Sequence, residues 1–245
     1  MRFALVLGML AMAAAPLSAA TPARKAPART VAKPAARPAA KTDWTRVVVA
    51  TPDGGMRMGN PAAAIKLIEY GSRTCPHCAK FDAEGFPLLK AGPIASGKLS
   101  YEFRDYPVHG ALDLGPILLG RCVPAARFFD VLDRMFRAQG TLLAKVEAVG
   151  AKVEGMTKPT PNQLATVFAT DLGYVAFMAR LGLPDARAKA CLAAPAGIDR
   201  IVATAKVAND KYAVSGTPTF IINGKKAEGA YDWAALQPQL AAAGL

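Results

Sequence analysis

Four residues constrain this chain more than any others: Cys75-Pro76-His77-Cys78. They follow the run Ile65 to Tyr70, which reads as a buried strand interrupted by Lys66 and Glu69. They open a helical stretch over residues 76–90, with Pro76 in the first turn, where its missing N–H costs nothing. Two cysteines so spaced at a helix start can close a small disulfide ring. The first sulfur then lies near unsatisfied backbone N–H groups and the positive end of the helix dipole. That setting favours thiolate over thiol, and the thiolate is the reactive form. His77 can add a positive charge or a donated hydrogen bond, and Pro76 stiffens the ring.

Other readings of the motif are weaker. Cys75, His77 and Cys78 could ligate zinc, but no second CxxC or HxxxH completes a tetrahedral set. Attachment of c-type haem needs His directly after the second Cys, and position 79 is Ala. A purely structural bridge across one helical turn is uncommon. No metal site is therefore expected, and no cofactor beyond a redox-active Cys75–Cys78 disulfide.

Around the motif the signals alternate in kind. Val47 to Ala50 is a short β-branched strand, the turn Thr51–Gly55 follows, and Met56 to Met58 can return as its partner. Lys98 to Asp105 alternates apolar and polar and reads as a strand. From about Ala111 to Ala196 no strand signal stands out. Pro124 can start a helix with an apolar face of Phe128, Phe129, Leu132, Met135 and Phe136. Thr160-Pro161-Asn162-Gln163 is a capping box for a helix running to about Leu181. Shorter helical signals cover Pro184 to Leu192, and then Ile198 to about Tyr212. Thr219 to Ile222 is again a strand, Asn223-Gly224 is a hairpin turn leading into Lys225-Lys226, and Asp232 caps a terminal helix. The expected architecture is α/β: a central sheet with helices on its faces, interrupted by an all-helical insertion over about 111–196.

The net charge of +12 raises the question of nucleic acid, and its placement answers it. Residues 1–20 read as a cleavable signal peptide, with Arg2, an apolar run Phe3 to Ala15 and small residues Ser18-Ala19-Ala20. Residues 21–42 hold only Ala, Pro, Lys, Arg, Thr and one Val, which reads as a disordered linker. Arg2 and the six basic residues of that linker leave 23 of the 30 in the body from Asp43, against all 18 acidic ones, a net of +5. A body so mildly basic gives little support for nucleic-acid binding. The expected setting is an oxidising compartment outside the cytoplasm.

The segments LIEYGSRTCPHC and VSGTPTFIING, with Cys191-Leu192 and the helical block, resemble the DsbA-like branch of the thioredoxin superfamily. The resemblance covers about residues 45–243. It implies a thioredoxin fold (a central mixed sheet flanked by helices) with a helical insertion, periplasmic residence, and thiol–disulfide exchange as a monomer. Cys75 is then the partly exposed nucleophile and Cys78 its buried partner. Thr217-Pro218 matches the cis-proline turn packed on the active-site disulfide, where the Thr217 backbone would pair with an extended substrate. Glu69 matches a buried acid that moves protons near the second cysteine, although an exposed strand end is an equal reading. His109 reads as a loop histidine, and Lys225 and Lys226 as solvated hairpin residues. Reduced exported proteins are the implied substrates, and a quinone-linked membrane protein the implied reoxidising partner.

The expected direction is oxidation, with an isomerase or reductase of the same fold as the alternative. His77 in the dipeptide favours an oxidase, whereas Thr217 before the proline is shared with isomerase and reductase relatives. A copper- or zinc-binding thiol protein and a peptide-binding chaperone are rival classes. With Cys75 and Cys78 forming one pair, Cys122 and Cys191 remain; they are expected to form a structural bridge closing a 69-residue loop, the alternative being two free buried thiols.

Overall fold

The computed structural model describes residues 42–245. The signal-peptide and linker expectations for residues 1–41 lie outside them. A 3-10 turn at Trp44–Arg46 leads into β1 (Val48–Ala50), β2 (Met56–Gly59) and β3 (Ile65–Gly71). Then come α1 (Pro76–Glu84), α2 (Phe86–Leu89), a π-helical turn at Lys90–Ile94, and β4 (Leu99–Asp105). The helical block holds α3 (Ala111–Arg121), a 3-10 turn Ala125–Arg127, α4 (Phe128–Arg137), α5 (Gln139–Leu142), α6 (Val146–Glu154), α7 (Pro161–Asp171), α8 (Tyr174–Arg180) and α9 (Asp185–Ala193). The chain closes with α10 (Pro195–Tyr212), β5 (Thr219–Ile222), β6 (Lys225–Lys226) and α11 (Trp233–Ala242).

The six strands form one mixed sheet in the order β1-β2-β4-β3-β5-β6. β3 and β4 run parallel, from Ile65 opposite Leu99 to Gly71 opposite Asp105, and the other pairings are antiparallel. The β3 strand therefore delivers the chain from the sheet centre into α1, with Cys75 at the N-cap and Pro76 at the first helical position. Beneath α1 lies a core of Leu67, Phe81, Phe86, Tyr101, Phe103, Phe129 and Phe220. A second core, inside the insertion, is built on Leu119, Val131, Met135, Ala169 and Met178. The helix α4 carries residues of both, because Phe129 and Phe136 face the sheet while Val131 and Met135 face the insertion.

The β4 strand forms as expected, and all seven of its residues are buried. Its Arg104 is paired with Glu102 at 2.7 Å and with the exposed Asp53 at 2.9 Å, with Tyr70 Oη accepting at 3.0 Å. Two local expectations need correction. The helix expected from Thr160 to about Leu181 has its capping box, but divides at Gly173, whose φ of +88° no ordinary helical residue adopts. The stretch expected as one helix over residues 76–90 divides at Gly85 into α1 and α2. The apolar face predicted for α4 is buried at all five positions, and Asp232 caps α11 by accepting from the Ala235 N–H at 3.0 Å.

Candidate active site

Cys75 is at the N-cap of α1, 5% exposed, and Cys78 is fully buried one turn below. The expected partial exposure of Cys75 is thus reduced to a sliver, because the loop before β5 packs over it. That loop contains the cis Thr217–Pro218 bond, and in the thiol form the Cys75 Sγ–H donates to the Thr217 carbonyl at 3.2 Å. The Cys75 thiol is brought down to about 5. The largest cause is the hydrogen bond from the Cys78 thiol. Burial opposes it, and the Thr217 side chain and the backbone N–H groups of Cys78 and His77 add to it. His77 itself is exposed, so it acts on Cys75 through its backbone. Burial drives the Cys78 thiol the other way, well above its ordinary value, reinforced by Cys75 and Glu69. One sulfur is prepared to be a thiolate and its neighbour to stay a thiol.

Glu69 is 1% exposed, so it is not the exposed strand end of the alternative reading. One of its oxygens accepts a short hydrogen bond from the Tyr101 hydroxyl, and the other has no partner among the described residues. Burial pushes its carboxyl up to about 8, against the Tyr101 hydrogen bond, and the Cys78 thiol lies beside it. Parallel pairing of β3 and β4 makes this contact: Leu67 is opposite Tyr101, so the phenol lies diagonally across from Glu69 on the same face.

The segment Ser72-Arg73-Thr74 ahead of the motif is wholly buried. Arg73 Nε donates to Asp105 at 2.7 Å, and Arg121 donates to the other Asp105 oxygen at 2.6 Å. Burial alone would raise the Asp105 carboxyl, but the two guanidiniums outweigh it and hold the group below its ordinary value. Both cations also lie over the Phe128 ring, Arg73 at 5.1 Å and Arg121 at 4.9 Å from its centroid. A Cβ on Gly120 would stand 2.2 Å from Arg73 Nη1, so this glycine near the end of α3 makes room for the guanidinium. From α5, Gln139 Nε2 donates to the carbonyls of Arg73 and Cys75, at 3.1 and 3.0 Å. His109, expected to be an idle loop residue, has Nδ1 2.7 Å from the Thr74 hydroxyl.

The structure thus brings Cys75, Pro76, His77, Cys78, Glu69, Thr217 and Pro218 to one locus. Tyr101, Arg73, Asp105, Asp113 and Gln139 were not singled out from sequence. Cys122 and Cys191 are bonded to each other in the insertion, across the half-buried end of α3. Lys225 is exposed as expected, while Lys226 is half-buried, with Nζ 3.8 Å from Glu228. Among the described residues no three His, Cys, Asp or Glu side chains converge as a metal cage. No described helix is long and apolar enough to cross a membrane.

Comparison with known proteins agrees with this arrangement. The sequence profile of the family described as thioredoxin matches residues 51–242. A provisionally named protein-disulfide oxidoreductase of Rickettsia prowazekii is 27% identical over 201 residues, which is 80% of this chain and 62% of that protein. Its counterpart in Rickettsia felis is 25% identical over 179 residues, 73% of this chain and 56% of that protein. The chain therefore spans less than two thirds of these relatives. The crystal structure of a protein-disulfide isomerase from Novosphingobium aromaticivorans is 33% identical, with a TM-score of 0.71, covering 79% of this chain and 99% of that one. The Wolbachia pipientis alpha-DsbA1 structure shares the fold, with a TM-score of 0.58 at 24% identity over 76% of this chain and 88% of that one. The profile match and the Novosphingobium relative together show that this chain belongs to the thioredoxin family, with the fold it shares with the Wolbachia structure.

Proposed function

We propose that the chain is a protein thiol–disulfide oxidoreductase that works as an oxidase on exported proteins in the periplasm, as a monomer, with Cys75–Cys78 as its redox centre and no further cofactor. The observation that carries this is the Cys75 thiol drawn down to about 5 beside a Cys78 thiol driven up. A stabilised thiolate is a good leaving group, so the disulfide form gives up its bond readily. A substrate thiolate attacks Cys75 Sγ, a new S–S bond forms, and the Cys75–Cys78 bond breaks with its electron pair on Cys78. Glu69, pushed up to about 8 and so protonated at neutral pH, supplies the proton that Cys78 takes up. A second substrate thiolate then attacks the substrate-side sulfur and expels Cys75 as thiolate. The substrate leaves as a disulfide, having lost two electrons to the cysteine pair. A quinone-linked membrane partner would take those electrons. Thr217 and Pro218 offer the extended backbone on which the substrate segment lies.

Isomerisation is the second reading. It is favoured by the Novosphingobium relative, which is titled a protein-disulfide isomerase. The equilibrium of the Cys75–Cys78 pair with glutathione tests the oxidase reading. A potential near about −120 mV supports the oxidase, and one near about −270 mV points to a reductant. Refolding of a scrambled multi-disulfide protein without added oxidant would identify an isomerase.

A further inference from the structure

The Thr74 hydroxyl lies 2.6 Å from Asp113 Oδ1 and 2.7 Å from His109 Nδ1. A hydroxyl has one proton to give. Asp113 Oδ1 also receives the Ser72 hydroxyl at 2.7 Å, and Oδ2 receives the His109 backbone N–H at 2.8 Å. Burial raises the Asp113 carboxyl above its ordinary value, but the hydrogen bonds from Thr74, Ser72 and His109 oppose it, and three donors on one carboxyl are the arrangement its ionised form accepts. The Thr74 proton therefore goes to Asp113, and the Thr74 oxygen accepts from a protonated His109 Nδ1. The imidazole is in this way fixed as the Nδ1–H form, with its side chain 44% exposed.

Thr74 immediately precedes the nucleophile. Its own N–H donates to Ser72 Oγ at 3.1 Å, and the Cys75 N–H donates to the Ser72 carbonyl at 3.2 Å. The turn that sets the direction of Cys75 is thus held at its hydroxyl by His109 and Asp113, and at its backbone by Ser72. Cys75 Sγ is stabilised by backbone N–H groups of His77 and Cys78, which serve it only if the sulfur is correctly aimed. We propose that His109 is a positioning residue for the Cys75 nucleophile, acting through the Thr74 hydroxyl from the loop between β4 and α3.

The inference rests on the thiol–disulfide exchange reading above, and one set of measurements separates the two. The full chain is compared with His109→Ala, His109→Asn and Thr74→Val. The readouts are the equilibrium constant with glutathione, the pH midpoint of thiolate absorbance, and the thermal unfolding midpoint. His109→Ala should shift the glutathione equilibrium toward the disulfide form by about three- to tenfold, the range for one lost hydrogen bond. The thiolate midpoint should rise with it. In His109→Asn the side-chain amide N–H stands one bond from Cγ, as Nδ1–H does, so this variant should return to within about twofold of wild type. In the Thr74→Val background, His109→Ala should add nothing. A His109→Ala chain with an unchanged equilibrium and an unchanged thiolate midpoint overturns the proposal, whatever happens to its thermal midpoint. So does an Asn variant that behaves like Ala. If Thr74→Val fails to fold, the Ala and Asn pair alone decides. A wild-type chain that does not exchange with glutathione at all sinks the exchange reading instead.

Discussion

Reducing the Cys75–Cys78 bond should stabilise this protein, and the gain should depend on pH in a way that isolates one sulfur. The folded Cys75 thiol titrates at about 5 against 9.0 for an unperturbed one. A pKa depressed by folding adds stability that is complete above the unfolded value and vanishes as pH falls through the folded one. At about pH 4 the Cys75 contribution is near zero. At about pH 7 two of the four units are realised, or about 3 kcal/mol at 1.36 kcal/mol per unit. Cys78 is driven further up by burial, so it stays protonated across this window. Glu69 is held up near 8 chiefly by burial, which both redox forms share, so below pH 7 it stays protonated and adds little to the difference. The assay is urea unfolding of oxidised and reduced protein at several pH values between about 4 and 7. Limiting reductant is used, with peptide mapping to confirm that Cys122–Cys191 survives. The difference in unfolding free energy, reduced minus oxidised, should climb by about 3 kcal/mol across that range. The same quantity makes the pair about 60 mV more oxidising at pH 7 than an unstabilised one. A flat difference, or one that rises only above pH 7, refutes the claim that this helix start holds a thiolate.

Glu69 carries the opposite sign: its folded value near 8 exceeds its unfolded 4.5, so stability falls as pH rises between them. Glu69→Gln should remove that fall, adding about 3 kcal/mol at pH 7 in denaturant titrations, while slowing the Cys78 proton step by about 100-fold in rapid-mixing exchange assays. Replacing Cys122 and Cys191 by Ser opens a 69-residue loop and should cost about 4 kcal/mol in urea, leaving the Cys75 thiolate midpoint unmoved. Gly120→Ala places a methyl against the Arg73 guanidinium and should lower stability by about 1–3 kcal/mol, read from its thermal midpoint. Arg73→Met leaves Asp105 buried with Arg121 alone, and should cost about 3–5 kcal/mol by the same measurement.

The parts of the fold that local chemistry controls were legible in the sequence. Pro76 after Cys75 marked a helix start, Thr160 and Gln163 marked a capping box, and Asn223-Gly224 marked a hairpin, because each is a short-range stereochemical device. What was not legible depends on elements far apart in sequence. The alternation in β4 correctly separated two faces, but nothing local revealed that α10 covers the polar one, so Glu102 and Arg104 were not seen as an internal pair. Tyr101 is one more aromatic in an alternating strand until the parallel register sets it beside Glu69. Asp113 and Gln139 lie 41 and 66 residues from the backbone and hydroxyl groups they bind, in a helical block whose pattern reports only its own core. Glu69 admits two placements from sequence, since an acid in an apolar strand can be an exposed end or a buried group, and only the packed sheet distinguishes them.

The distribution of charge around the motif explains what the helical insertion contributes beyond its own core. Arg73, directly in the loop that leads to Cys75, is fully buried, and such a cation is tolerated only if it is paired and hydrogen-bonded. Asp105 at the end of β4 pairs with it, Arg121 from α3 shares that carboxylate, and Met135 Sδ accepts from Nη1 at 3.3 Å. Gln139 from α5 takes the carbonyls of Arg73 and Cys75, and Asp113 from α3 takes the hydroxyls of Ser72 and Thr74. Every residue from Ser72 to Cys75 is therefore bonded to a side chain or backbone outside this loop, and half of those partners, Asp113, Met135 and Gln139, sit on helices of the insertion. The sheet and α1 alone would supply the N–H groups that stabilise a thiolate. They would not fix the approach of the chain to the helix, and a sulfur that wanders by an ångström loses those N–H groups. Rigidity of the loop before Cys75 and depression of its thiol are thus two aspects of one arrangement: the insertion restrains the loop, and the restrained loop keeps Cys75 in line with the N-terminus of α1.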